Sequence, residues 1–185
     1  MIGILFLIFA ILFLFFSIFY LIFILDSLIF AHDLPTSKKA LEEIVKIIKK
    51  YKPNAKNFYD LGCGRGSVVL EIKRKFPQIE VYGVDKNRFR IFLSKLKSLI
   101  LNQKIRFIKK DIFELNLEKA DIVYTYLWYD LMPILEKKLE KELKSGAIVI
   151  TNTSHFAFWQ PIEIINTWPN IRDSKFEKLF VYKKE

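Results

Sequence analysis

The sequence has one cysteine, and no lysine or arginine before Lys38. A lone Cys63 permits no internal disulfide and fits a reducing compartment. Charge of either sign is missing from Ile2 to Leu25. At about 1.5 Å per residue a helix of that run reaches roughly 36 Å, enough to cross a hydrocarbon core of about 30 Å. A secretory signal would need a basic start, a short apolar core and a small-residue cleavage site, and none is present. A helix apolar on every side for this length seldom fits the core of a small domain. Residues 1–30 are therefore expected to form an uncleaved, single-pass membrane anchor.

The one-sided distribution of cations orients that anchor. Positive charge stays on the cytoplasmic side, which places everything after Lys38 inside. From residue 34 onward there are 30 basic and 18 acidic residues, Asp26 and Asp33 being the other two acids, a net charge of +12. A tethered basic domain is drawn to anionic headgroups. Nucleic-acid binding is the competing explanation. It is set aside because the lysines are spread along helices rather than interleaved with aromatics.

Residues 31–55 read as a linker, AHDLPT, and a helix. Thr36 or Ser37 can cap this helix, whose residues Leu41, Ile44, Val45 and Ile48 follow helical spacing. Residues 56–185 alternate short apolar runs with amphipathic helices, the pattern of a parallel sheet covered on both faces. The runs are Phe58–Leu61, Ile79–Val84, Ile105–Ile108, Asp121–Tyr126 and Ala147–Thr151. Between them Val68/Val69/Ile72/Phe76, Phe89/Phe92/Leu93/Leu96 and Leu131/Leu135/Leu139/Leu143 each mark one helical face. Two further strands, Ile162–Trp168 and Glu177–Tyr182, are expected as a closing hairpin joined through a Pro-Asn turn region. The expected fold is α/β, a Rossmann-like seven-stranded sheet with helices on both faces, preceded by a transmembrane helix.

The chemistry begins in FYDLGCGRGSVVL, residues 58–70. Gly62, Gly64 and Gly66 stand at alternate positions, with Asp60 two residues ahead. A dinucleotide fingerprint spaces its third glycine one residue further on. A phosphate-binding Walker loop would need a following Gly-Lys-Ser/Thr, which is absent. Asp60 would oppose a pyrophosphate but suits a ligand bearing an ammonium group. Asp85 closes the run VYGVD, where a carboxylate can accept both hydroxyls of a ribose. Asp111 follows the third strand, where its carboxylate and the next backbone N–H, that of Ile112, can address an adenine edge. Each acid alone also reads as a turn or cap residue. In order at three successive strand ends, they fit adenosine with an ammonium-bearing tail, which points to S-adenosylmethionine. No metal site is expected.

These motifs resemble the class I S-adenosylmethionine-dependent methyltransferases over roughly residues 35–185, DLGCGRG matching their first motif and VYGVD their acidic second. More narrowly, the chain is similar to the lysine methyltransferase family of the ATP synthase c-subunit and adenine nucleotide translocase enzymes, which has bacterial and archaeal members. That likeness rests on the hydrophobic segment followed by Pro35-Thr36, on YLWYDLMPILEKKLEKELKSGAIVI after a short fourth strand, and on Trp159-Gln160-Pro161. Family members often carry Phe-Pro-x-Pro before that Trp, where this chain has Ser154 to Phe158. The Asn/Asp-Pro-Pro-Tyr motif of nucleobase and glutamine methyltransferases is replaced by TYLWYD. The resemblance implies a lysine acceptor on a membrane protein, and it suggests that Thr36 reaches the cofactor. The alternatives are a lipid or quinone-like acceptor at the bilayer surface, and a non-catalytic cofactor-binding module.

A lysine acceptor must lose its proton before it attacks, since a pKa near 10.4 leaves only about one in a few thousand neutral at pH 7. Tyr126, Tyr129 and Asp130 after the fourth strand, with Asn152 and His155 after the fifth, are the candidates to help. Tyr126, His155 and Asn152 are the favoured three. Packing of Tyr124 and Tyr126 into the sheet, and a surface role for His155, are the plainer readings.

Overall fold

The computed structural model describes residues 2–29, 35–167 and 177–185. The chain divides into two compact units, Met1–Pro35 and Thr36–Glu185. Among its described residues the first holds one helix, α1 (Ile2–Ile29), whose stretch Gly3–Leu25 is long and apolar enough to cross a membrane. Residues 30–34, most of the expected linker, lie outside the described residues, as do Trp168 and the Pro169-Asn170 turn region.

The second unit opens with α2 (Lys38–Tyr51). Ser37, not Thr36, caps it, its side chain accepting from the Ala40 N–H at 3.1 Å. Ala40, Ile44, Val45, Ile47 and Ile48 form its buried face, and Lys49 and Lys50 in the last turn suit the negative end of the helix dipole. Then come β1 (Asn57–Leu61), α3 (Ser67–Lys75), β2 (Glu80–Asp85), α4 (Arg88–Ile100) and β3 (Arg106–Lys109). β4 (Ile122–Thr125), α5 (Met132–Glu142), β5 (Ile148–Asn152), β6 (Glu163–Asn166) and β7 (Lys178–Lys183) complete the unit.

The seven strands form one sheet in the order β3-β2-β1-β4-β5-β7-β6. β1 to β5 run parallel, and β6 and β7 form the expected antiparallel hairpin on the far side of β5. Because side chains alternate across a strand, each strand feeds two cores. Phe58, Val81, Ile122, Ile148 and Val181 pack under α2 and α3 on one face. Tyr59, Leu61, Val123, Val149 and Tyr182 pack with Leu135 and Leu139 of α5 on the other. The strand order reverses direction between β1 and β4. In open α/β sheets the crevice at that switch, beyond the carboxyl ends of the strands, is where ligands bind.

One helical face differs from the sequence reading. In α4 the buried positions are Arg90, Ile91, Ser94 and Ser98, while Phe92 and Leu96 are exposed. The reason lies in what α4 covers. On its inner side Ser94 reaches the Gly64 carbonyl of the glycine loop and Ile91 joins the apolar core, while Ser98 bonds back to the Lys95 carbonyl of its own helix.

Candidate active site

Asp60 near the end of β1 lies opposite Gly83 on β2 and Tyr124 on β4. The chain then turns through Gly62, Gly64 and Gly66, all with positive φ, into α3. Two of these glycines also answer to space. A Cβ on Gly62 would lie 2.9 Å from Leu127 Cδ2, and one on Gly66 would lie 3.0 Å from the Ser94 hydroxyl. The Ser94 hydroxyl in turn donates to the Gly64 carbonyl at 3.1 Å. The loop is therefore clamped from two sides, by α4 and by the segment after β4.

Asp85 closes the clamp from β2. One carboxylate oxygen accepts the Gly64 N–H at 2.9 Å and the other accepts the Asn87 N–H at 2.8 Å. A carboxylate has about four lone-pair positions, so each oxygen retains one for a ligand hydroxyl. Asn87 caps α4 through Phe89 and Arg90 N–H. Asp111 stands beyond β3, one oxygen accepting from the Phe113 N–H at 3.0 Å as the cap of a 3-10 turn, Ile112–Glu114. Its other oxygen is uncommitted by that bond. Ile112 beside it is buried. Asp60, Asp85 and Asp111 thus stand at the carboxyl ends of three adjacent strands, in the order that adenosine with an ammonium-bearing tail requires.

Asp60 is held in an unfavourable state. It is 2% exposed, and burial raises its pKa well above the ordinary carboxylate range, the negative charge of Asp85 adding to the effect. A cation placed beside it would reverse that shift. The residues therefore fit S-adenosylmethionine, whose tail carries an ammonium group and whose reactive centre is a sulfonium that supplies an electrophilic methyl.

Next to Asp60 lies a buried polar network that the sequence did not reveal as a unit. The Tyr124 hydroxyl is 2.8 Å from the Thr36 hydroxyl and accepts from Asn152 Nδ2 at 3.2 Å. Asn152 Nδ2 also donates to Glu177 Oε1 at 3.0 Å, and the same oxygen accepts the Ser37 N–H at 3.1 Å. Burial raises the Tyr124 pKa far above that of a free phenol, so the hydroxyl stays protonated. Thr36 is free for this bond because Ser37 takes the capping role. Tyr126, two residues on along the same side, is half-buried against the α2–α3 core.

His155 is elsewhere. Its ring is exposed and packs edge-on to Tyr129 at 5.6 Å and against Phe180 at 5.4 Å, with the aromatic residues of the α5 face. Asn152 and its partners lie with the opposite face, so the two residues proposed after β5 are not brought together. Asp130 is exposed in the short turn Tyr129–Leu131 that leads into α5. The loop that lacks prolines is held by Glu136 of α5. Its buried carboxylate accepts the N–H groups of Ala157, Phe158 and Trp159, and Trp159 packs on Phe156 and Tyr182. No motif marks Glu136 or Glu177. Tyr124 was traceable, since its β4 position pairs with Asp60 once the strands are aligned.

The reversed strand order, the glycine turn at the switch point and the three terminal acids define a class I S-adenosylmethionine-dependent methyltransferase. A family model for the ANTKMT methyltransferase domain matches residues 60–163, and the chain belongs to that family. A protein-lysine N-methyltransferase of Saccharolobus islandicus is 29% identical over 71% of this chain and 82% of its own. The ATP synthase c-subunit lysine N-methyltransferase of Mus musculus is 27% identical over 69% of this chain, which spans 51% of that protein. Among solved structures, a Salinibacter ruber RNA methyltransferase holding S-adenosyl-L-homocysteine superposes with a TM-score of 0.68 at 18% identity. That match covers 81% of this chain and 93% of the other. It speaks to the fold alone. The cofactor of this family of enzymes is S-adenosylmethionine.

Proposed function

We propose that this chain is a membrane-anchored enzyme that transfers a methyl group to a lysine side chain of a membrane protein, with its catalytic unit on the cytoplasmic side. The observation that carries the reading is the buried Thr36–Tyr124–Asn152–Glu177 network beside Asp60. Methyl transfer is an in-line displacement with a neutral leaving group, so the protein's work is orientation and management of the acceptor's proton. A neutral amine at the mouth of this network meets hydroxyl oxygens that accept from its N–H bonds. Desolvation there favours the uncharged amine over the ammonium. Asp60, the glycine turn, Asp85, Asp111 and Ile112 would hold the cofactor. Tyr126, at the end of the β4 line, presents a phenol near the acceptor's path and a ring face for the cation that forms.

The kinship to protein-lysine methyltransferases supports lysine as the acceptor class. The uncharged α1 span supports a membrane location, and tethering raises the effective concentration of membrane-embedded substrates. The test incubates the full chain in membranes with isotopically labelled S-adenosylmethionine, then maps label by mass spectrometry in membrane proteins and in the lipid extract. Methyllysine in a membrane protein is the expected result. Label confined to lipid would move the assignment to a small-molecule acceptor, and no label anywhere would point to a cofactor-binding module. Alkaline carbonate washing, which should leave the chain in the pellet, tests the anchor separately.

A further inference from the structure

Helix α4 turns its apolar side outward. Phe92, Leu96, Leu99 and Ile100 are 54, 43, 76 and 74% exposed, and Leu101 just past the helix is 56% exposed. With 3.6 residues per turn, the four helical positions fall within about 100° of arc. Arg88 and Lys95 border one edge of this stripe and Lys97 the other. Scattered exposed leucines need no explanation, but a continuous stripe over successive turns marks an interaction surface.

The surrounding charge says what kind. From Lys86 to Lys110 the chain carries nine basic residues and no acidic one, and all but Arg90 are exposed. A helix with an apolar stripe between lysines lies in the plane of a membrane interface, stems along the acyl boundary and charges among the phosphates. A second copy of the chain is a poor occupant, because a self-contact would bring two such basic surfaces face to face. Single-stranded RNA is another poor fit, because three of the four stripe residues are aliphatic and offer no ring for a base to stack on.

We propose that α4 docks on a bilayer surface containing anionic headgroups, with Phe92, Leu96 and Leu99 at the headgroup–acyl boundary. This rests on the membrane reading above and adds a second, reversible contact to the anchor. It has a consequence for the site. Helix α4 begins three residues after Asp85, and its inner side is bonded to the glycine loop through Ser94 and through Lys97, whose Nζ donates to the Arg65 carbonyl at 3.2 Å. Docking α4 therefore holds the cofactor loop at headgroup depth, where a lysine near a membrane span of the substrate emerges.

The full chain carrying Leu99→Cys is labelled with an environment-sensitive fluorophore, Cys63 being buried, and placed in phosphatidylcholine vesicles with or without phosphatidylserine. Glu140→Cys, on exposed α5 surface, serves as the control position. The expected result is a blue shift and quenching by brominated lipid at Leu99 but not at Glu140, present with phosphatidylserine and lost at high salt. Lys95→Gln and Lys104→Gln should each lower the docked-to-undocked ratio about fivefold. A chain that resists carbonate washing while its Leu99 label stays in water overturns this inference and leaves the anchored-enzyme reading intact. Shielding without lipid quenching means that protein, either α1 or a second copy, covers the stripe, and also overturns it. Shielding by added RNA in the absence of anionic lipid does the same. Loss of the chain from the vesicles in the carbonate wash removes both readings.

Discussion

The two ends of the parallel sheet each bury a carboxylate, and they treat it in opposite ways. Asp121, ahead of β4 at the amino end of the strands, accepts the Lys56 and Asn57 N–H groups at 2.8 and 2.9 Å and pairs with Lys144 at 2.7 Å. Burial alone would raise its pKa, but the Lys144 hydrogen bond and the two backbone donors outweigh that and lower it. Asp60, at the carboxyl end, is pushed the other way by burial and by Asp85. One acid is a staple between β1 and β4. The other is a charge kept without its natural counterpart, and the missing counterpart is what a cationic ligand supplies. Stability is built at one end of the sheet and given up for binding at the other.

The largest expected effect breaks the stable end. Asp121→Ala leaves two backbone donors near the strand starts unsatisfied and should cost about 2–4 kcal/mol of unfolding free energy, the partly exposed Lys144 pair adding little. Cofactor affinity of the folded protein should not change, as chemical denaturation and calorimetry on the same variant would establish. Wild-type affinity in a destabilised variant confirms the separation of the two ends.

Next in size is the reverse experiment. Asp60→Asn should weaken S-adenosylmethionine binding by about 1.5–3 kcal/mol, the worth of a charge-assisted contact. The same variant should melt higher without ligand, by about 2–4 °C for each kcal/mol relieved in a domain of this size. An unchanged or lower melting temperature would mean that Asp60 is not held against its preference.

Proton titration sharpens the contrast. A raised carboxyl pKa contributes stability that is present below the ordinary carboxylate value and lost as pH rises through the folded value. A lowered one contributes stability above the ordinary value that is lost as pH falls through the folded value. Asp60→Asn should therefore stabilise, and Asp121→Asn destabilise, at neutral pH, and both differences should shrink toward zero in acid. Cofactor binding by the wild type should tighten as pH rises and Asp60 ionises. Melting curves and titration calorimetry from acid to neutral pH would check each.

Smaller effects belong to the network at the site. Tyr124→Phe removes the hydroxyl shared by Thr36 and Asn152 and should cost about 1–2 kcal/mol in stability together with slower single-turnover transfer. Tyr126→Phe, at a half-buried position, should leave melting and cofactor affinity intact while slowing transfer about fivefold, equivalent to about 1 kcal/mol. If only the Tyr124 variant loses rate, the catalytic assignment moves from Tyr126 to Tyr124.

Much of this architecture was legible in the order of residues. Apolar runs of four to six residues alternating with helical spacing announced the sheet. The glycines after Asp60 announced the turn, and Asp85 and Asp111 their strand ends. All are local signals, set by backbone sterics and by periods of two and 3.6 residues. The face of α4 was misleading because periodicity reports where apolar residues cluster, and not whether the neighbouring surface is apolar. Here part of that surface is the glycine loop, whose carbonyls take Ser94 and Lys97, and the apolar stripe is left exposed.

What the sequence determined by itself is the order of elements, the ligand crevice and the kind of cofactor, because each follows from residues close together along the chain. Only the tertiary structure decided which polar groups share a buried network. Thr36, Tyr124, Asn152 and Glu177 come from four segments, up to 141 positions apart, and no local preference links them. It likewise decided that Asp60 and Asp121, two aspartates of identical chemistry, carry opposite pKa shifts. The cost of burying a charge depends on the donors that other strands bring to it.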